Sequence, residues 1–136
     1  MKLTRTLGLL IPVLALSMTT GCDEESSSPR FGDLQVTYRV GSGTNSCADV
    51  GIQFVRVFLL DRDGEPEMDE LFSCDASDQT VIVEEVTVGS YTVRVEGLNS
   101  NNATIYTGES TREIEVEADQ TNGPVSVVLN QLRPAI

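Results

Sequence analysis

Histidine and tryptophan are absent from this 136-residue chain, and lysine occurs once, at Lys2. Without an imidazole there is no Ser-His-Asp or Cys-His nucleophile, no histidine general acid or base, and no His-ligated metal. Aromatic residues make up only 5% of the chain. With no indole among them, a sugar-stacking platform would have to come from Tyr38, Tyr91 and Tyr106. Cationic residues are also scarce, 9 against 21 acidic ones, for a net charge of −12. Such a surface repels phosphate backbones and disfavours nucleic acid, whereas divalent cations or a basic protein surface remain compatible with it. The same charge also serves plain solubility. Nothing in this composition calls for a cofactor.

The chain opens with Lys2 and Arg5, followed by an apolar stretch of ten residues from Leu7 to Leu16. That stretch is short of the ~20 residues a membrane-spanning helix requires, and the pattern is that of a signal peptide covering residues 1–21. It ends in Thr19-Thr20-Gly21-Cys22, which resembles the lipobox of bacterial lipoproteins. The resemblance implies that Cys22 is diacylated and becomes the mature first residue, without Lys2 and Arg5. Starting from −12, the loss of two positive charges leaves a mature charge of about −14. Residues 22–30 then read as a tether, because Asp23-Glu24-Glu25-Ser26-Ser27-Ser28-Pro29 has nothing to bury. Each buried methylene contributes about 0.8 kcal/mol, so two or three acyl chains would hold the protein on a membrane. The expected location is the bacterial cell envelope, facing the periplasm or the exterior. By resemblance to enterobacterial lipoproteins Asp23 would favour the inner membrane, a rule that differs between bacterial groups.

Three cysteines are an odd count for an exported protein. One lipidated residue plus one disulfide accounts for all of them, which pairs Cys47 with Cys74 in an oxidising compartment. The alternative, a thiol or metal pair, has no Cys-x-x-Cys spacing to support it.

From residue 31 to the end, period-two alternation is the main signal. Leu34, Val36, Tyr38 and Val40 form one apolar face, and Val55, Val57 and Leu59 a second. Phe54, Phe58 and Leu60 around Arg56 make the second strand central and buried on much of both sides. Further strands are expected at Val81 and Val83, at Tyr91 to Val95, weakly at Ile105, at Ile114 and Val116, and at Val125 to Leu129. Turn chemistry falls between them at Gly41 to Asn45, Asp63-Gly64, Val88-Gly89-Ser90, Asn99 to Asn102 and Asn122-Gly123-Pro124. No segment carries a helical stripe. The fold class is all-β, a single Ig-like β-sandwich of seven or eight strands over residues 31–136.

The segment Val86-Thr87-Val88-Gly89-Ser90-Tyr91-Thr92-Val93-Arg94-Val95-Glu96-Gly97 resembles the strand-turn-strand signature of prealbumin-like domains. That group contains the carboxypeptidase regulatory-like and Cna protein B-type modules. In that reading Gly89 permits a tight turn, and Tyr91, Val93 and Val95 point inward together. Val55 to Asp61 and Val125 to Leu129 fit the same outline, so the resemblance spans residues 33 to 130. It implies an architecture and service as a surface, adhesive or accessory module; fold alone assigns no activity. The Lys-Asn isopeptide bond of some Cna protein B-type modules does not carry over, since Lys2 lies in the signal peptide.

Asp61-Arg62-Asp63-Gly64-Glu65-Pro66-Glu67-Met68-Asp69-Glu70 is the densest acidic stretch, and its Asp-x-Asp-Gly opening invites a calcium loop. An EF-hand needs Gly at the sixth position and Glu at the twelfth, and Pro66 and Phe72 stand there, so a hairpin or loop is expected. Glu113, Glu115 and Glu117 share one strand face and read as charge guarding an exposed or edge strand. Asn102-Ala103-Thr104 has the glycosylation triplet but is expected to form a turn. No carboxylate pair sits in an expected cleft, so no catalytic residues are assigned. The leading reading is a non-catalytic, membrane-anchored module contacting another envelope protein or polymer. The alternative is a small carbohydrate- or cation-binding module. Exposed tyrosines beside a groove would favour carbohydrate, converging carboxylates a cation, and a flat apolar patch a protein.

Overall fold

Alternating side chains can bury one face only if the strands pair into sheets whose apolar sides meet. The computed structural model describes residues 29–41, 45–74 and 79–132. The signal peptide, Cys22 and the tether up to residue 28 lie outside the described residues. Eight strands occur among those described: β1 (Phe31–Val40), β2 (Phe54–Leu60), β3 (Pro66–Ser73), β4 (Thr80–Thr87), β5 (Gly89–Leu98), β6 (Thr104–Glu109), β7 (Ile114–Val116) and β8 (Thr121–Gln131). A single helical turn, α1 (Cys47–Val50), precedes β2. Four residues are too few to leave a helical stripe, so this turn was not legible as one. Local chemistry makes it: the Asp49 N–H donates to the Ser46 hydroxyl, the Ser46 N–H to the Asp49 carboxylate, and Gly51 ends it at φ 80°.

The strands pair in the order β3-β2-β5-β6-β8-β1-β4, with β7 added to β5. All pairs are antiparallel except β1 with β8, which run parallel. Two layers result, β3-β2-β5-β6 and β8-β1-β4. They are joined where Tyr106 and Thr107 of β6 meet Gln131 and Asn130 of β8. Leu34, Val36, Tyr38 and Val40 from one layer share a single core with Val55, Val57, Leu59, Val93 and Val95 from the other. The chain is therefore an all-β, sandwich-like fold, and its core is built from the alternating positions expected of it. As expected, β2 is a central strand, between β3 and β5.

Two turn expectations are corrected. Gly89 does not turn a hairpin: β4 pairs with β1 while β5 pairs with β2 and β6, so Val88 carries the chain from one layer to the other. Asn122-Gly123-Pro124 lies inside β8 rather than between strands. There the register against β1 slips between Leu34 and Val36, Gly123 takes φ 101°, and the turn itself falls at Ala118 to Gln120. The acidic stretch divides into a turn at 61–65 and the strand β3, in which Glu67, Asp69 and Glu70 interrupt any clear apolar alternation.

Candidate functional site

Cys47 in α1 is bonded to Cys74 just after β3, with Cα atoms 6.0 Å apart. The pair encloses α1, β2 and β3, and both residues are buried at one end of the core.

In the β2–β3 turn, the Asp61 carboxylate accepts the N–H groups of Asp63 and Glu65, both at 2.9 Å. The Asp61 oxygen that would open a calcium loop is thus already engaged in turning the hairpin. Glu113, Glu115 and Glu117 are exposed on and beside β7. Glu113 lies 3.8 Å from Arg62 Nε, and Glu117 accepts the Gln120 amide at 2.7 Å. Among the described residues, no three Cys, Asp or Glu side chains form a group able to hold a metal ion. Asn102 lies in the β5–β6 turn at φ 64°, where the Asn99 side chain accepts the N–H groups of Asn101 and Ala103.

The tyrosines turn inward. Tyr38 and Tyr91 are buried, and Tyr106 is half-buried against the core. The Tyr91 hydroxyl donates to the Thr87 carbonyl at 2.7 Å. Burial, and secondarily the negative charge of Glu67, raises its pKa above the usual phenol value. Concave ground is small: the cavity between Ser110–Ile114 and Pro124–Ser126 holds about 260 Å³, and the groove over Thr37–Arg39 and Ser126–Val128 about 390 Å³. These lie at the low end for small-molecule sites.

The outward face of β3-β2-β5-β6 is different. Burying Val55, Val57 and Leu59 forces Phe54, Arg56 and Phe58 outward on the central strand. The pairing register then sets the rows. Phe54 stands between Ser73 and Leu98, Arg56 between Leu71 and Glu96, and Phe58 between Asp69 and Arg94. Beyond them, Thr107 follows Glu96 and Glu109 follows Arg94 on β6. Phe54 and Phe58 are half-buried, and Leu71 is 45% exposed. The Arg94 guanidinium carbon lies 4.8 Å from the Phe58 ring centre, a cation–π contact. Arg56 Nε is 3.7 Å from Asp69, and Arg94 Nε is 3.7 Å from Glu96. Both Nε atoms are buried without a hydrogen-bond partner among the described residues, so these ion pairs are loose.

No protein-family model, curated protein or solved structure matches the chain.

A half-exposed sheet face of two phenylalanines, a leucine and two arginines has the composition of a protein-interaction hot spot, where aromatics and Arg are enriched. This corrects one expectation: β2 is central, but its second face, expected to be buried on much of its area, is only half-buried at Phe54, Arg56 and Phe58. Leu71 and Arg94 were missed as partners because their neighbourhood depends on register between strands far apart in sequence. The available signal was the Phe-x-Arg-x-Phe spacing on the side of β2 opposite its valines.

Proposed function

We propose that this protein is a non-catalytic interaction module of the bacterial cell envelope, anchored by lipid at Cys22 and built on a prealbumin-like sandwich. The observation that carries the reading is the open face of Phe54, Phe58 and Leu71 with Arg56 and Arg94 among them. The Thr20-Gly21-Cys22 sequence and the polar run to Pro29 support the anchor. The Val86 to Gly97 motif supports the fold type. A protein contact fits this surface better than a sugar, because the three tyrosines are spent on the core rather than on a stacking platform.

Fractionation of cells making wild type and Cys22→Ala tests the anchor. Wild type should sediment with membranes and gain the mass of its acyl chains, while the variant should be soluble. Identical fractionation without acyl mass on wild type would refute the anchored reading.

A further inference from the structure

We propose that the partner of the β3-β2-β5-β6 face is a second copy of this chain, docked about a two-fold axis that runs along the strands between β2 and β5. This deepens the interaction reading above and rests on it.

A two-fold interface must be complementary to itself, residue i meeting j' and j meeting i'. An axis lying in the plane of the face, parallel to the strands and midway between β2 and β5, lays each β2 residue over its β5 neighbour in the other copy. The register makes those neighbours Phe54 and Leu98, Arg56 and Glu96, and Phe58 and Arg94. Leu98 is already buried within its own chain, so across the dimer the other two pairs become an ion pair and a cation–π contact, each made twice. One row further out, Leu71 meets Thr107. The one unfavourable match is Asp69 with Glu109, both exposed at the rim, where salt screens like charges. The Arg56–Asp69 and Arg94–Glu96 pairs are loose in the single chain, and excluding water from the face strengthens charge contacts. Burial of the face also removes Phe54, Phe58 and Leu71 from solvent.

The start of the domain agrees with this axis. Arg30 accepts the Val88 N–H at 3.0 Å, so the tether joins the domain beside the start of β5. An axis parallel to the strands puts that end of both copies on the same side. Both tethers can then reach one membrane, where confinement raises the effective concentration of one copy for another. An axis across the strands would point the two tethers in opposite directions.

The test uses full-length chains carrying two different tags, co-expressed and co-isolated from detergent-solubilised membranes. Wild type should co-isolate with wild type. Arg56→Glu paired with itself sets like charges at two contacts, as does Glu96→Arg paired with itself, and each should reduce recovery about tenfold or more. Arg56→Glu co-expressed with Glu96→Arg restores opposite charges at both contacts and should recover wild-type yield. Contacts inside each chain are the same whether a variant meets itself or the other, so recovery on mixing reports only the interface. Circular dichroism of each variant checks that it folds, and the molecular mass of solubilised wild type across a dilution series needs no variant. A monomeric wild type overturns the proposal. So do homotypic variant pairs that co-isolate as well as wild type, folded variants that fail to recover on mixing, and a different protein held at this face in place of the second copy. If wild type dimerises yet is found soluble in cells, the anchor fails while the dimer stands. If it is membrane-bound and monomeric, the dimer alone fails.

Discussion

The hydroxyl of Tyr38, in the middle of one layer, lies 3.3 Å from the sulfur of Cys74, at the end of the other. A disulfide sulfur carries no proton, so the phenol donates. The contact makes the Cys47–Cys74 bridge part of the core rather than a surface clip.

Replacing both Cys47 and Cys74 by alanine therefore removes a cross-link and an acceptor for the Tyr38 hydroxyl. Closing a loop of this size contributes roughly 3 to 4 kcal/mol on the chain-entropy account. The double variant should melt at least several degrees below wild type by circular dichroism, while keeping its β spectrum. Tyr38→Phe should cost about 1 kcal/mol in wild type and less in the double variant, since the two changes share a contact.

Asn122 is the buried polar residue that organises the start of β8. Its carboxamide oxygen accepts the Glu117 N–H at 3.0 Å, and its amide nitrogen lies 3.0 Å from the Asp33 carbonyl and 3.1 Å from that of Glu117. Asn122→Ala should destabilise the domain by about 2 to 4 kcal/mol in urea titrations, through several buried groups left unpaired. Asn122→Asp should cost at least as much at neutral pH, because a carboxylate would face carbonyl oxygens. Part of that loss should return as pH falls and the acid protonates. Equal stability of wild type and both variants would show that water replaces the side chain at no cost.

Tyr91 links stability to alkaline pH. Its folded-state pKa is raised, so the native state holds the phenol proton more tightly than the unfolded chain does. The stabilisation is present below the unfolded value of about 10 and is lost as pH rises beyond it. Melting temperature should fall as pH rises above about 10, more steeply for wild type than for Tyr91→Phe. Near neutral pH the variant should be weaker by about 1 kcal/mol, for the lost bond to Thr87. Parallel slopes for the two proteins would assign the alkaline loss to other groups.

The layers are joined at β6 and β8, and Gly108 stands at that joint. A Cβ at Gly108 would run into the carbonyl oxygen of Val128, a backbone atom that cannot swing aside. Gly108→Ala should cost several kcal/mol, in the range of overpacked core substitutions. Gly64→Ala provides the contrast, since it meets open space and is strained only by its φ of 81°. Its cost should stay near 1 kcal/mol. Comparable denaturation midpoints for the two variants would contradict the joint.

Most of the strands were legible because each buries one side, and a period of two records that directly in valines, leucines and tyrosines. β3 was the exception. It is an edge strand bearing Glu67, Asp69 and Glu70, and the charge that guards an edge also erases the alternation that would announce it. Asn122-Gly123-Pro124 misled for a related reason: turn-type residues also serve an irregular strand start, and local chemistry alone does not separate the two uses.

By itself the sequence determined the fold class, the inward set of Leu34, Val36, Tyr38, Val55, Val57, Val93 and Val95, the pairing of Cys47 with Cys74, and the chemistry from which histidine's absence bars the chain. These depend on composition, on local periodicity and on counting, which a linear string carries in full. Only the tertiary structure decided which strands are neighbours, that Val88 crosses between layers, and that the tyrosines are used up inside. It also decided that Phe58 lies between Asp69 and Arg94 and Arg56 between Leu71 and Glu96. Register between strands tens of residues apart is set by how both layers fill one core together, and no local segment contains that information.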